Sequence, residues 1–289
     1  KPNAQVNLLL QNVNKIKLVA ENSKFNLLCL PPDNFPLSDE NINQKTFEIS
    51  SKKLLKLLNK TKISISNDET RHYLNGIFLH KTKLENKSFL CGVATDSHRL
   101  SSSSLEIDSS INIEPIILPK KTIFQLISLL EQSSGSIKIS NNKSKIKFEM
   151  DSGVLISKVI DGRFPDYSKV IPKGNDKALH LQLNEFRSSI DRVTTVSSDR
   201  TKGLKMAISK DAVQLSVNNP SSGEGIENIN AKFNSNDLNI TFNSRYLTDI
   251  ASQIENESIV INLKDAGSPV LINDFSDKNS FHVVMPMKI

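Results

Sequence analysis

The sequence predicts an α+β protein built by internal duplication. Three observations point there. Short stretches alternate apolar and polar residues at the period of half-buried strands, and only a few segments carry apolar residues at helical spacing. The order of these elements then restarts after about 130 residues, which marks a repeated unit.

KTFEIS (45–50) alternates as a strand and runs into SKKLLKLLNKTK (51–62), where Leu54, Leu55 and Leu58 share a helical face and Ser50 or Ser51 stands as N-cap. RHYLNGIFLHKTKL (71–84) has the length and alternation of two strands, and SFLCGVAT (88–95) and HRLSSSSLEI (98–107) continue the sheet. PKKTIFQLISLLEQ (119–132) is the second helix, opened by Pro119, with Phe124, Ile127 and Leu130 on its inward face. GSIKISNNKSKIKFEM (135–150) is a hairpin turning at SNNKS, and GVLISKVI (153–160) adds a strand.

The series begins again at LHLQL (179–183), a strand, and NEFRSSIDRV (184–193), a helix burying Phe186, Ile190 and Val193. RTKGLKMAIS (200–209) and AVQLSV (212–217) are strands, NSRYLTDIASQI (243–254) is the fourth helix, and SIVINL, PVLINDF and FHVVMPM close the unit. The opening stretch 4–36 has the layout of a closing hairpin only, and its DNFP parallels GRFPD (162–166). The expected organisation is therefore one partial unit, 1–44, and two complete ones, 45–165 and 166–289. By the repeat period, about 80 residues of a first unit are expected upstream of Lys1.

The 289 residues carry 37 Lys and Arg against 31 Asp and Glu, a formal charge of +6. This mild excess suits an approach to polyanions. The cations recur on every helix. Lys52, Lys56 and Lys60 are spaced i, i+4, i+8 opposite the leucines, with Lys53 beside them. Lys120 and Lys121 open the second helix, Arg187 and Arg192 lie on the third with Arg200 and Lys202 following, and Arg245 begins the fourth. Outward cations without a base-reading cluster predict phosphate contact without sequence readout. With no Trp and three Tyr, a base-stacking groove for single strands is not expected. Cys29 and Cys91 sit in apolar contexts without a CxxC, as buried thiols in a reducing compartment. No apolar run approaches the roughly 20 residues needed to span a bilayer, so no membrane partner is expected.

VATDSHRL (93–100) concentrates chemistry-bearing side chains. Ser97 and His98 are neighbours, which on a strand point to opposite faces, so they form no nucleophile and base pair. Asp96 and His98 could share a face, and a metal-dependent nucleic-acid-processing enzyme with its site at Asp96 and His98 is the alternative reading, although no HxxxH or further acidic cluster accompanies them. A Walker A loop and a GxGxxG loop are both missing. No catalytic residue, metal or cofactor is assigned.

ATDSHRL (94–100) resembles the signature of the bacterial sliding clamps, the beta subunit family of the replicative DNA polymerase III. DGRFPDYSKVIP (161–172) resembles the connector of that family, and RHYLNG (71–76), FNSRYLTDI (242–250) and the terminal VVMPMKI (283–289) are similar to further motifs in the same order. The resemblance implies tandem clamp domains, each with two helices packed on antiparallel sheets. It also implies a cytoplasmic, non-catalytic homodimer ring around double-stranded DNA, with helices lining the hole and binding that is not sequence-specific. Its protein partners would be the DNA polymerase III alpha subunit, the clamp loader delta subunit and other clamp-binding-motif proteins.

Carried over residue by residue, the resemblance implies a partner-peptide pocket of Leu74, Thr95, His98, Arg99, Leu100, Pro165, Lys169, Val170, Tyr246, Pro269, Val283, Met285, Pro286 and Met287. Adaptable methionines suit a surface that accepts several partners. It adds Arg71, His72 and Tyr73 to the DNA-facing lysines and arginines, and sets Phe25 and Leu27 of one chain against Thr195 and Val196 of another. Ser97 stands where the family has glycine, and Lys169 where arginine is common.

Overall fold

The computed structural model describes residues 3–35, 42, 46–197 and 202–287. Arg200, one of the expected outward cations, lies outside them. The chain forms two compact units, Lys1–Asn41 and Ile42–Ile289.

The first unit is an antiparallel meander of β1 (Val6–Asn12), β2 (Lys15–Ala20) and β3 (Ser23–Leu28). Its sheet leaves Leu8, Leu10, Phe25 and Leu28 exposed. Cys29 follows β3 and is only half-buried, so the expectation of two buried thiols holds for Cys91 alone. The reason is that three strands by themselves give the thiol little to pack against.

The second unit contains the duplication. Its first half runs β4 (Phe47–Ser50), α1 (Ser51–Lys62), β5 (Gly76–Leu84), β6 (Lys87–Thr95), β7 (Arg99–Ile107), β8 (Ile116–Pro119), α2 (Lys120–Glu131), β9 (Ser136–Asn141), β10 (Lys145–Met150) and β11 (Gly153–Lys158). The second half repeats that order as β12 (Lys177–Gln182), α3 (Leu183–Val193), β13 (Gly203–Ile208), β14 (Ala212–Asn219), β15 (Gly223–Phe233), β16 (Leu238–Asn243), α4 (Ser244–Ala251), β17 (Ser258–Leu263), β18 (Val270–Asp274) and β19 (Asp277–Val284). Each half packs its helix pair against its sheets over an apolar core. Gly92 on β6 lets α1 approach closely, since a Cβ there would fall 2.5 Å from a Leu57 methyl. Among the described residues no helix is long and apolar enough to cross a membrane.

The halves share one sheet. Strands β4, β9, β10 and β11 form a four-stranded sheet, while the rest join in a twelve-stranded sheet in which β19 pairs antiparallel with β7. That pairing explains the polar run at 101–104. Ser101, Ser102 and Ser103 are buried where the halves meet, with Ser101 Oγ bonded to His282 Nδ1 at 2.8 Å and Ser280 Oγ donating to Ser103 Oγ at 2.8 Å.

Several expectations change. Residues 69–74 form a 3-10 turn, so 71–84 supplies one strand, β5, and not two. In α2 Phe124 is 47% exposed, and the buried face is Ile123, Leu126, Ile127 and Leu130, one residue round the helix. In α1 Leu57 joins Leu54 and Leu58 in the core, and Leu55 is only partly covered. Neither Ser50 nor Ser51 caps α1 through its hydroxyl: the Ser51 N–H donates to the Gly135 carbonyl instead. Strands β8, β15 and β16 were not expected: β8 is an apolar run of only four residues, β16 alternates as LNITFN, and β15 is mostly exposed at its start.

Candidate functional site at the joint of the two halves

The stretch 95–99 is the β6–β7 hairpin turn, and the side chains of Thr95, Asp96, Ser97 and Arg99 are all engaged in holding it. Thr95 Oγ1 donates to the Arg99 carbonyl at 2.7 Å and accepts the Ser97 N–H at 3.1 Å. Asp96 Oδ1 accepts the N–H groups of His98 and Arg99, both at 2.9 Å, and Oδ2 accepts from Arg99 Nε at 3.1 Å. Ser97 takes a left-handed φ of +77°, a conformation that favours glycine. Its hydroxyl accepts from Arg71 at 2.6 Å. His98 is left exposed at the tip.

Arg99 turns inward and bridges the halves. Its guanidinium donates to Asp249 Oδ2 of α4 at 2.7 Å and lies 4.3 Å from the centre of the Tyr246 ring. Only 9% of the side chain is exposed, and Nε and Nη1 are committed to Asp96 and Asp249 inside the protein. Burial raises the Tyr246 phenol above its usual value, with Asp96 adding to the shift.

Around this turn lies a cavity of about 230 Å³ lined by Leu74, Thr95, Ser97, His98, Arg99, Leu100, Pro165, Asp166, Tyr167, Val170, Val283 and Met285. Its floor is a small apolar cluster on the outer sheet face, including Leu74, Leu100 and Val283, which the connector segment covers with Phe164. Leu100 and Val283 are directly paired across β7 and β19. Lys169 and Pro269 line the adjoining depression, which shares Val170 and Met285. The tail is held in place by the Met285 N–H on the His98 carbonyl, 2.8 Å, and the Met287 N–H on the Thr241 carbonyl, 2.7 Å. Met285 and Met287 are 45% and 44% exposed, so neither is core, and of the two only Met285 lines the cavity: the Thr241 hydrogen bond carries Met287 away to the side of Gly203. Tyr246 meets the group through Arg99, and Pro286 is half-buried between the two methionines.

Sequence reasoning missed Ser97, Asp166 and Tyr167 as lining. Tyr167 hydrogen-bonds His80 Nε2 at 3.0 Å, and burial raises its phenol well above the usual range. The connector run DYSKV held the only signal, an aromatic beside a proline turn.

The Asp96 and His98 alternative finds no footing in this geometry. Both Asp96 oxygens are occupied by the turn and by Arg99. Among the described residues no group of three or more His, Cys, Asp or Glu side chains is placed to hold a metal ion.

The expected cations fall into two groups. Lys52, Lys121, Arg187 and Arg245 are exposed, and Lys120 is partly covered, 6.0 Å from the Phe124 ring centre. Lys60 is the main correction. It is 3% exposed, donates to the Gln253 carbonyl, and lies 3.3 Å from Glu255, 3.4 Å from Asp274 and 4.0 Å from Asp277. Its helix face turns into the second half, whose acidic groups draw the ammonium inside. Lys56 is also held, 3.0 Å from Glu255 and 3.1 Å from Asp277. Arg192 is exposed but paired to Glu227. Arg71 is partly exposed and pairs with Asp68, His72 is exposed with Nε2 3.1 Å from the Asp161 carbonyl, and Tyr73 packs onto the outer apolar cluster. Phe25 and Leu27 are exposed on the first unit; Thr195 is exposed and Val196 partly buried on the second.

Comparison with known proteins places this architecture. Residues 48–166 match the DNA polymerase III beta subunit, central domain, and residues 168–288 match the C-terminal domain of the same subunit. A beta sliding clamp of Caulobacter vibrioides is 33% identical over 95% of this chain and 74% of its own length. One from Rickettsia bellii is 32% identical, with the whole chain matched to 78% of the relative. Among solved structures, the clamp of Bartonella birtlesii bound to griselimycin superposes with a TM-score of 0.94 at 38% identity, covering 99% of this chain and 77% of that one. The Pseudomonas aeruginosa subunit gives 0.91 at 30% identity, over all of this chain and 78% of that one. The duplicated halves, their shared sheet and these matches lead to one conclusion: the chain belongs to the DNA polymerase III beta subunit family.

Proposed function

We propose that this protein is a sliding clamp, a non-catalytic processivity factor that closes as a homodimer ring around duplex DNA and holds replication proteins to it. The observation that carries the reading is the apolar pocket at the joint of the halves, with the half-exposed Met285 over a floor built from both. Such a socket suits short apolar anchors of several different proteins. The polymerase alpha subunit, the clamp loader delta subunit and other proteins with clamp-binding motifs are the expected occupants, in the bacterial cytoplasm and on the nucleoid during replication. On this reading 45–165 and 166–289 act as the two complete clamp domains and 1–44 as part of another. Phe25 and Leu27 of one chain then meet Thr195 and Val196 of the next.

DNA contact would come from Lys52, Lys121, Arg187 and Arg245, which are exposed, with Lys120, Arg71 and His72 nearby in sequence or in the fold. Contacts of this kind are electrostatic and indifferent to sequence, which sliding requires. The test is retention. The protein loaded on closed circular DNA should remain bound and should be released when the circle is cut. Equal retention on circular and linear DNA would refute encirclement. Lys52→Glu with Lys121→Glu should weaken retention most at low salt, each lost phosphate contact lowering the salt slope by about 0.9.

A further inference from the structure

The apolar surface at the joint does not end at Met285. Val170 and Met285 also line a depression of about 640 Å³ that Ile171 lines with them. Ile171 in turn lines a groove of about 570 Å³ on the outer face of β12, β17, β18 and β19. Strand alternation makes this groove. Leu179, Ile259, Ile261 and Ile272 point into the core, which leaves Val260, Leu271 and Phe281 as an apolar floor on the opposite face. Val283 in the pocket and Phe281 in the groove are two positions apart on β19, so the two floors begin about 7 Å apart beneath the connector.

The groove wall is built to hold a ring. Phe275, at the β18–β19 turn, is 63% exposed and stacks with His180, the ring centres 6.4 Å apart. An incoming aromatic could extend that stack. Positive charge flanks it: Lys173 is exposed in the middle depression and Lys278 in the groove. The acidic groups at its edge, Asp274 and Asp277, are already engaged by Lys60 and Lys56.

We propose that partner segments anchored in the pocket run on over Val170 and Ile171 and deliver an aromatic residue, flanked by acidic ones, to this outer groove. The proposal rests on the pocket reading above. The continuation adds a second anchor to the first without a second binding event, so it raises affinity and discriminates among partners that share the same apolar anchor.

Fluorescence anisotropy on the 289-residue chain tests it. The probes are a labelled hexapeptide with leucine and phenylalanine anchors, and the same peptide extended at one end or the other by Gly-Ser-Asp-Trp-Asp-Glu. One extended probe should bind about tenfold tighter than the hexapeptide, the gain expected from burying an aromatic ring. Phe275→Ala and Lys278→Ala should each remove most of that gain and leave the hexapeptide's affinity unchanged; both side chains are exposed, so the fold is not at risk. Equal affinities for short and extended probes, or a gain indifferent to Phe275→Ala, would overturn the groove while leaving the pocket standing. If the hexapeptide itself fails to bind, the pocket reading fails first. Tight binding of the extension without its anchor would make the groove an independent site and also overturn the proposal.

Discussion

Replacing Lys60 with methionine tests what holds the two halves together. At an effective dielectric constant of about 20, an ammonium 3.4 Å from Asp274 attracts it by about 5 kcal/mol, and one 4.0 Å from Asp277 by about 4 kcal/mol. Desolvating these groups removes most of that gain, but deleting one partner of a buried pair still costs about 3 kcal/mol because the other charge stays buried. Asp277 keeps Lys56 at 3.1 Å, so the loss falls on Asp274, whose side chain is 2% exposed. Burial raises the Asp274 carboxyl, yet hydrogen bonds from the Glu255 N–H and from Ser276, with Lys60 beside them, bring it below its usual value overall. Lys60→Met should therefore lower unfolding stability by about 3 kcal/mol at pH 7. The protein has no Trp, so urea unfolding is followed by far-ultraviolet circular dichroism. Adding Asp274→Asn should recover at least about 1 kcal/mol relative to additivity, since it removes the stranded charge. A loss below about 1 kcal/mol, or strictly additive effects, would refute the view that this buried cation ties the halves.

Other outcomes can be stated briefly. His282 is fully buried beside Ser101, and burial, then Lys60, depress its imidazole to about 3. The unfolded chain binds that proton more readily, so stability is complete above about pH 6.5 and falls between there and about pH 3; His282→Gln should flatten that slope in urea titrations, and an unchanged slope would remove His282 as its source. Met285→Ala with His98→Ala should weaken binding of an anchor peptide about tenfold with an unaltered circular dichroism spectrum, because both side chains are exposed at the pocket; unchanged affinity would refute the pocket. Ser97→Gly should raise stability by about 0.5 kcal/mol, relief of a left-handed serine outweighing glycine's entropy and one exposed hydrogen bond to Arg71; a clear loss of stability in urea would show that the hydroxyl matters more than the backbone.

Much was legible before any coordinates. Local periodicity is enough to place α1, α2, α3 and α4, because a helix that buries one face repeats that face in its own sequence. The duplication was readable for the same reason: β4 through β11 and β12 through β19 pass through one order of elements. Of the fourteen pocket residues that the family resemblance implied, nine line the cavity at the joint, Lys169 and Pro269 line the depression beside it, and Tyr246, Pro286 and Met287 line neither. What periodicity could not supply is which surface of an element meets another part of the chain. Lys60 sits in a regular row of lysines that reads as a solvated face, and only the approach of the β18–β19 turn and of the segment after α4 puts it in the dark. The pairing of β7 with β19 makes sense of the serine run, poor strand material alone, since Ser101, Ser102 and Ser103 lie opposite β19. Arg99 lines the cavity, as the resemblance implied, but nothing local announces that its charge is claimed by Asp249, 150 positions away. A local pattern records the interactions of near neighbours; burial of charge is decided by groups distant in sequence, and those meet only when the chain has folded.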